Sequence, residues 1–296
     1  MQLDGTTPLW IAARVILYER GDELLRRMDK VLRTFDLEDI HDLRVASRRL
    51  REGLALFAPC YPPESVRRID RKVRSITRLL GDMRNTDEAI LFFTGLSDEV
   101  DDVCRGALDP FLASLQKERA REARRLAKAL QKTASSKLRD LYQRSINAIA
   151  LFTPPEDGTD LLAPLACFAR TSFDSRLSAI GELLPQARQK GAIEAQHRLR
   201  IAIKHFRYRM EILSFLVETD YPQHHATMKG YQDVLGKMHD LDVFAGIVRG
   251  TGFPAEAEKR LLDAIIDKRG KLFREFTAML KSEPLDKICE KVRNGL

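Results

Sequence analysis

One pattern, met twice, constrains this 296-residue chain more than any other feature. It reads His41-Asp-Leu-Arg-Val-Ala-Ser-Arg-Arg-Leu-Arg51 and then His197-Arg-Leu-Arg-Ile-Ala-Ile-Lys-His-Phe-Arg207, an offset of 156 positions (41 to 197). In register, Arg44 matches Arg200, Arg48 matches Lys204, Arg49 matches His205 and Arg51 matches Arg207. The same offset pairs Arg14 with Arg170 and Arg20 with Arg176. A second echo, offset by 155 (80 to 235), sets Leu80-Gly-Asp-Met-Arg-Asn-Thr-Asp87 against Leu235-Gly-Lys-Met-His-Asp-Leu-Asp242. A duplicated plan of this kind predicts two similar supersecondary units. We read them as two helical bundles related by a pseudo-two-fold axis.

The pattern itself is an amphipathic helix over Asp39–Pro59. At about 100° per residue, His41, Arg44, Arg48 and Arg51 fall within roughly a quarter of the circumference. Leu43, Ala46, Leu50, Leu54 and Phe57 gather on the opposite side, as a core-facing stripe does. One side packs and the other presents imidazole and guanidinium groups turn after turn. That suits a row of anionic oxygens better than a single catalytic event. Asp39 is expected to cap this helix, and Pro59, Pro62 and Pro63 to end it.

Helical periodicity continues through the rest of the chain. Thr6 and Thr7 before Pro8 predict a helix start, and the helix runs over 8–34. A strongly basic helix covers 64–80, with Arg67, Arg68, Arg71, Lys72, Arg74 and Arg78, and Gly81 is expected as its C-cap. A short helix to Phe93 follows, then helices over 104–132 and 135–151. Thr153-Pro-Pro-Glu-Asp-Gly-Thr159 reads as the linker between the halves 1–152 and 160–296. Helices are expected over 161–184, 192–218, 222–236, 239–249, 254–281 and 284–294. No strand pattern is found, so the fold class is all-α.

Composition sets limits. The chain is 44% hydrophobic and 31% charged, with 50 basic and 43 acidic residues and a net charge of +7. That surplus is modest, so an anion-binding argument depends on where the bases sit. Cys60, Cys104, Cys167 and Cys289 show no paired or zinc-ligand spacing and read as reduced packing thiols. The N-terminal apolar patch is broken by Arg14, too early for a secretory leader. No run approaches the roughly 20 apolar residues of a membrane span. A cytoplasmic protein is expected, with no membrane contact.

HxLRVAxRRLR, its copy HRLRIAxKxxR, and the LGxxRNxD and LGxxHDxD echoes resemble the CHAD family, named for a histidine-containing α-helical domain. The resemblance spans both halves of the chain. It implies two four-helix-bundle-like halves enclosing a basic central cavity that binds inorganic polyphosphate. It also implies a stand-alone CHAD protein, since no stretch remains for the triphosphate-tunnel domain often fused to this family. On this resemblance His41, Arg44, Arg48, Arg49, Arg51, His197, Arg200, Lys204 and Arg207 would bind the polymer. Arg14, Arg20, Arg74, Arg78, Arg84, Arg170, Arg176, Lys229 and His239 would form a second tier. Lys204 and His205 stand where the first copy has two arginines, a departure that alters the strength of the second row but not its sign.

The chemistry fits such a ligand. A guanidinium meets phosphate oxygens with a planar fork, whereas lysine acts as a point charge. One exposed ion pair contributes only about 0–1 kcal/mol, so affinity must come from many contacts. Positions i, i+3, i+7 and i+10 supply them along roughly 15 Å of helix. Asp87 and Asp242 are read as groups that orient the bases three residues before them. His224, His225, His239, Asp240 and Asp242 superficially suggest a helical metal-dependent phosphohydrolase. The first copy carries Arg84-Asn85 at the matching place, which argues against a metal site. Aromatic residues do not alternate with the bases, which weakens a single-stranded nucleic-acid reading. Duplex binding through phosphates stays as the alternative. No nucleophile–base set, catalytic residue, cofactor or metal is assigned, and the expected activity is binding rather than catalysis.

Overall fold

In the computed structural model, residues 2–133, 135–150, 157–217 and 220–296 are described. Among them run ten α-helices: α1 Leu9–Thr34, α2 Leu37–Leu56, α3 Pro63–Glu99, α4 Asp102–Lys132, α5 Ser135–Asn147, α6 Leu165–Ala187, α7 Ile193–Ile212, α8 Tyr221–Thr251, α9 Ala255–Ser282 and α10 Leu285–Asn294. No strand occurs among the described residues; one isolated bridge joins Pro8 and Pro164. The all-α class holds. Among the described residues no helix is long and apolar enough to cross a membrane.

Several helix limits differ from the sequence expectation, each for a local reason. α2 opens at Asp36, whose carboxylate accepts from the Glu38 N–H at 2.7 Å, and not at Asp39. Asp39 is buried instead in the first turn, paired with Lys30 at 2.6 Å and accepting from Thr34 Oγ1 at 2.7 Å. Thr6 and Thr7 do not cap α1. Their amides turn onto the Asp4 carboxylate at 2.9 and 3.0 Å, and Pro8 holds the cap position. The first N–H groups of α1, which lack partners within any helix, donate to Ala163 and Leu161 carbonyls at 3.0 and 3.1 Å.

Gly81 does not end a helix. α3 runs through it as a helix of 37 residues, and among the described residues left-handed glycines occur only at Gly158 and Gly252. A mid-helix glycine costs roughly 1 kcal/mol. Burying Met83, Ala89, Phe93 and Leu96 further along the same helix outweighs that, at about 1.5–3 kcal/mol for each large side chain. In the same way α8 runs unbroken where two helices are expected, because Val234, Leu235, Met238 and Leu241 keep one apolar face buried through Gly236.

The chain divides into two compact units. One comprises Met1–Glu88 and Leu115–Phe168, the other Ala89–Ser114 and Ala169–Leu296. Within the first, α1 packs on α2 and α5. Leu17, Leu24 and Met28 of α1 and Leu43, Leu50 and Leu54 of α2 are nearly or wholly inaccessible to solvent. Gly21 lets the Tyr142 ring lie directly on α1, where the hydroxyl donates to the Leu17 carbonyl. Within the second, α7, α8 and α9 pack in succession, and α10 joins α8. An aromatic cluster ties residues 89–114 into this unit. Phe92 stacks on Phe244 at 4.6 Å, Phe93 meets Phe111 at 5.0 Å, and Phe111 meets Phe253 at 5.4 Å. The unit therefore takes in the end of α3 and the start of α4, which a division at 153–159 assigns to the other half. Thr153–Glu156 of the expected linker lie outside the described residues. Cys60, Cys104 and Cys289 are buried and Cys167 is exposed.

Candidate anion-binding rows

In the first unit α2 behaves as its periodicity requires. Leu43, Ala46, Leu50, Leu54 and Phe57 are buried, His41 is exposed, and Arg44, Arg48, Arg49 and Arg51 are half-buried. Their aliphatic stems can thus lie along the protein while the charged ends reach water. Arg48 makes no ion pair among the described residues. Arg51 Nε is fixed by Asp70 Oδ1 at 2.9 Å, and the other Asp70 oxygen takes Arg74 at 3.1 Å. One carboxylate on α3 thereby draws a first-tier and a second-tier base together. Arg78 is exposed. Arg84 pairs with Glu88 at 3.1 Å, Arg20 with Glu23 at 3.4 Å, and Arg14 donates to Asn147 Oδ1 at 3.2 Å.

In the second unit α7 presents the matching row. Leu199, Ile203, Phe206 and Met210 are buried, while His197, Arg200, Lys204 and Arg207 are half-buried. Arg207 is held most firmly. It donates to Gln232 Oε1 at 3.0 Å, pairs with Glu211, lies 3.1 Å from His225 Nε2, and crosses the Tyr208 ring with its carbon 4.9 Å from the centroid. His225 in turn reaches Glu211 at 2.9 Å. Arg200 Nε would lie 3.6 Å from a Cβ on Gly236, so the guanidinium passes close over α8. His197 and His239 face each other with ring centroids 4.2 Å apart and planes inclined by 34°. Burial, then His197 and Arg200, push the His239 pKa down to about 4, against the opposite pull of Asp242 and Glu194.

The remaining second-tier residues have varied surroundings. Lys229 is exposed, Arg170 donates from Nε to the Leu296 carbonyl at 3.1 Å, and Arg176 keeps its Nε buried without a partner. Asp87 and Asp242 each fix a base on a neighbouring helix. Asp87 takes Arg119 of α4 at 2.9 Å, and Asp242 takes Arg269 of α9 at 2.5 Å. Arg269 also donates to Gln196 Oε1 at 2.7 Å, so it links α9 to the start of α7. His224 and His225 sit in the first turns of α8, and His239 lies about 21 Å further along it, too far to share a ligand with them.

Asp70, Glu211, Gln232, Arg119 and Arg269 carry no motif that would have flagged them, and His225, noted only for a metal-site resemblance, serves here to hold Arg207 and Glu211. Asp70 lies 19 residues from Arg51 and Arg269 lies 27 from Asp242. Only helix packing brings them together.

Two units of packed helices, each with a row of bases on one side of a motif helix, define an all-helical class of architecture. The chain belongs to the CHAD domain family, whose model matches residues 15–249. The fold is similar to the crystal structure of the CHAD domain from the plant Ricinus communis, with TM-score 0.64 and 23% identity over 100% of this chain and 93% of that one. It is also similar to PptA from Streptomyces chartreusis, with TM-score 0.62 and 15% identity over 96% of this chain and 100% of that one. At these identities the likeness is one of fold. No curated protein matches the chain in sequence.

Proposed function

We propose that this chain binds inorganic polyphosphate along the basic rows of α2 and α7, and that it docks on polyphosphate granules or senses the polymer without catalysing a reaction on it. The observation that carries this reading is the pair of rows. On each motif helix the bases occupy one side and a dry core the other. Membership of a family linked to polyphosphate points the same way. The anchoring of Arg51 by Asp70 and of Arg207 by Gln232 and Glu211 holds those guanidiniums in place before a ligand arrives. Less side-chain freedom is then lost on binding.

Competition titration tests the ligand class. Polyphosphate should displace duplex DNA at matched charge and salt, whereas preference for the duplex would favour a nucleic-acid-binding protein. Incubation with polyphosphate and Mg²⁺ should leave the polymer length unchanged; shortening would show hydrolysis. Replacing Arg48 and Lys204 together by alanine should weaken binding by about 10–30-fold, from roughly 1 kcal/mol per lost contact. The control pair is Arg26 and Arg27, held by Asp22 at 3.0 Å and Asp42 at 2.7 Å. Equal losses for both pairs would mean diffuse electrostatics with no dedicated rows.

A further inference from the structure

The second unit contains two neighbouring imidazoles where the sequence echo of the first has one imidazole and one guanidinium. Position 84 is arginine and position 239 is histidine, so a permanent charge on α3 corresponds to a titratable group on α8. The His197 and His239 rings lie 4.2 Å apart between centroids. Nδ1 of His197 is buried and makes no hydrogen bond. An unpartnered buried ring nitrogen is costly unless something else meets it.

Charged groups reach His239 from each helix packed there. From α7 come His197, Arg200 and Glu194. Its own helix supplies Asp242, whose charge is shared with Arg269 of α9. That carboxylate is thus already engaged, and burial together with the neighbouring cations outweighs it. Two imidazolium rings at this separation, with Arg200 beside them, would repel one another. A phosphate group in contact reverses that balance, because its oxygens accept from imidazolium N–H groups and offset the crowded charge.

We propose that polyphosphate binding at the second unit is coupled to proton uptake by His239, whose ring faces that of His197. This rests on the polyphosphate reading above and adds its regulation. Proton uptake operates between the free-state pKa of His239, about 4, and the higher value it takes beside phosphate. As pH falls through that window, affinity rises by up to about tenfold per pH unit for one coupled proton. Below about 4 the free protein carries the proton as well, and the gain ends.

The test is calorimetric titration with long-chain polyphosphate, whose internal phosphates keep their charge from pH 5.5 to 7.5. It is run at constant ionic strength in two buffers of different ionisation heat, on the wild type, His239→Arg and His239→Gln. The wild type should tighten by about tenfold or more from pH 7.5 to 5.5 and take up protons. His239→Arg should bind at least as tightly as the wild type at pH 7.5 and lose most of the pH slope and the proton uptake. His239→Gln should lose the uptake and bind more weakly than the wild type at pH 5.5. Equal proton uptake in the wild type and in whichever variant folds overturns the coupling and leaves the polyphosphate reading standing. Failure of the wild type to bind at any of these pH values overturns both.

Discussion

At the scale of single residues, charge and burial are set against each other, and His239 shows the result most clearly. Its pKa is about 4 in the folded chain and near 6.5 when unfolded. Between these values the unfolded chain binds the extra proton, so stability rises with pH across that window. Folding stability of the ligand-free protein should therefore fall as pH drops from about 6.5 towards 4. For this half-buried ring the loss is about 1–3 kcal/mol. Urea denaturation at pH 7 and pH 5 checks this. His239→Gln should lose the part of the pH dependence that belongs to His239, and an unchanged difference between the two pH values would refute the assignment. Arg51 illustrates the complementary case. Its motif position was legible from spacing, but the carboxylate that fixes it, Asp70, was not.

At the scale of elements, burial decides where a helix stops, and punctuation residues are overruled. Gly81 and Gly236 stand where a one-dimensional reading ends helices, yet α3 and α8 run through both. A Cβ on Gly81 would meet nothing within 4 Å. Gly81→Ala should thus stabilise the protein by about 0.5–1 kcal/mol, the usual gain for removing a mid-helix glycine. A raised thermal midpoint would register it. Gly21 differs because the Tyr142 ring occupies the space its Cβ would take. Gly21→Ala should cost about 1–3 kcal/mol by overpacking, with a lowered midpoint, and a neutral result would mean that α5 shifts freely. The two glycines look alike in sequence and differ only in what packs beside them.

At the scale of the whole molecule, the compact units do not coincide with the two halves of the sequence. Phe92, Phe93 and Phe111 pack with Phe244 and Phe253, so Ala89–Ser114 completes the unit built mainly from Ala169–Leu296. A fragment of residues 160–296 lacks these rings and should expose the apolar faces they cover. It is expected to be poorly folded or aggregated when produced alone. Restoring 89–114 in trans, or by fusion, should recover helical content by circular dichroism and a monodisperse elution profile. A stable, soluble 160–296 fragment would show that the aromatic cluster is dispensable.

The amino-acid order settles the all-α class, the core-facing sides of α2 and α7, and the bases on their opposite sides. All of these follow from short-range spacing, and a period of 3.6 residues is written directly into the chain. It also determined the family, through a doubled motif whose members lie within eleven residues of one another. Tertiary structure alone decided which bases are fastened and by what. The pairs Arg51–Asp70, Arg119–Asp87 and Arg269–Asp242 join different helices, and their meeting depends on packing angles that no local pattern encodes. The His197–His239 contact belongs to the same class. So does the assignment of Ala89–Ser114 to the second unit, because the Phe92–Phe244 contact that holds it joins residues far apart in the chain.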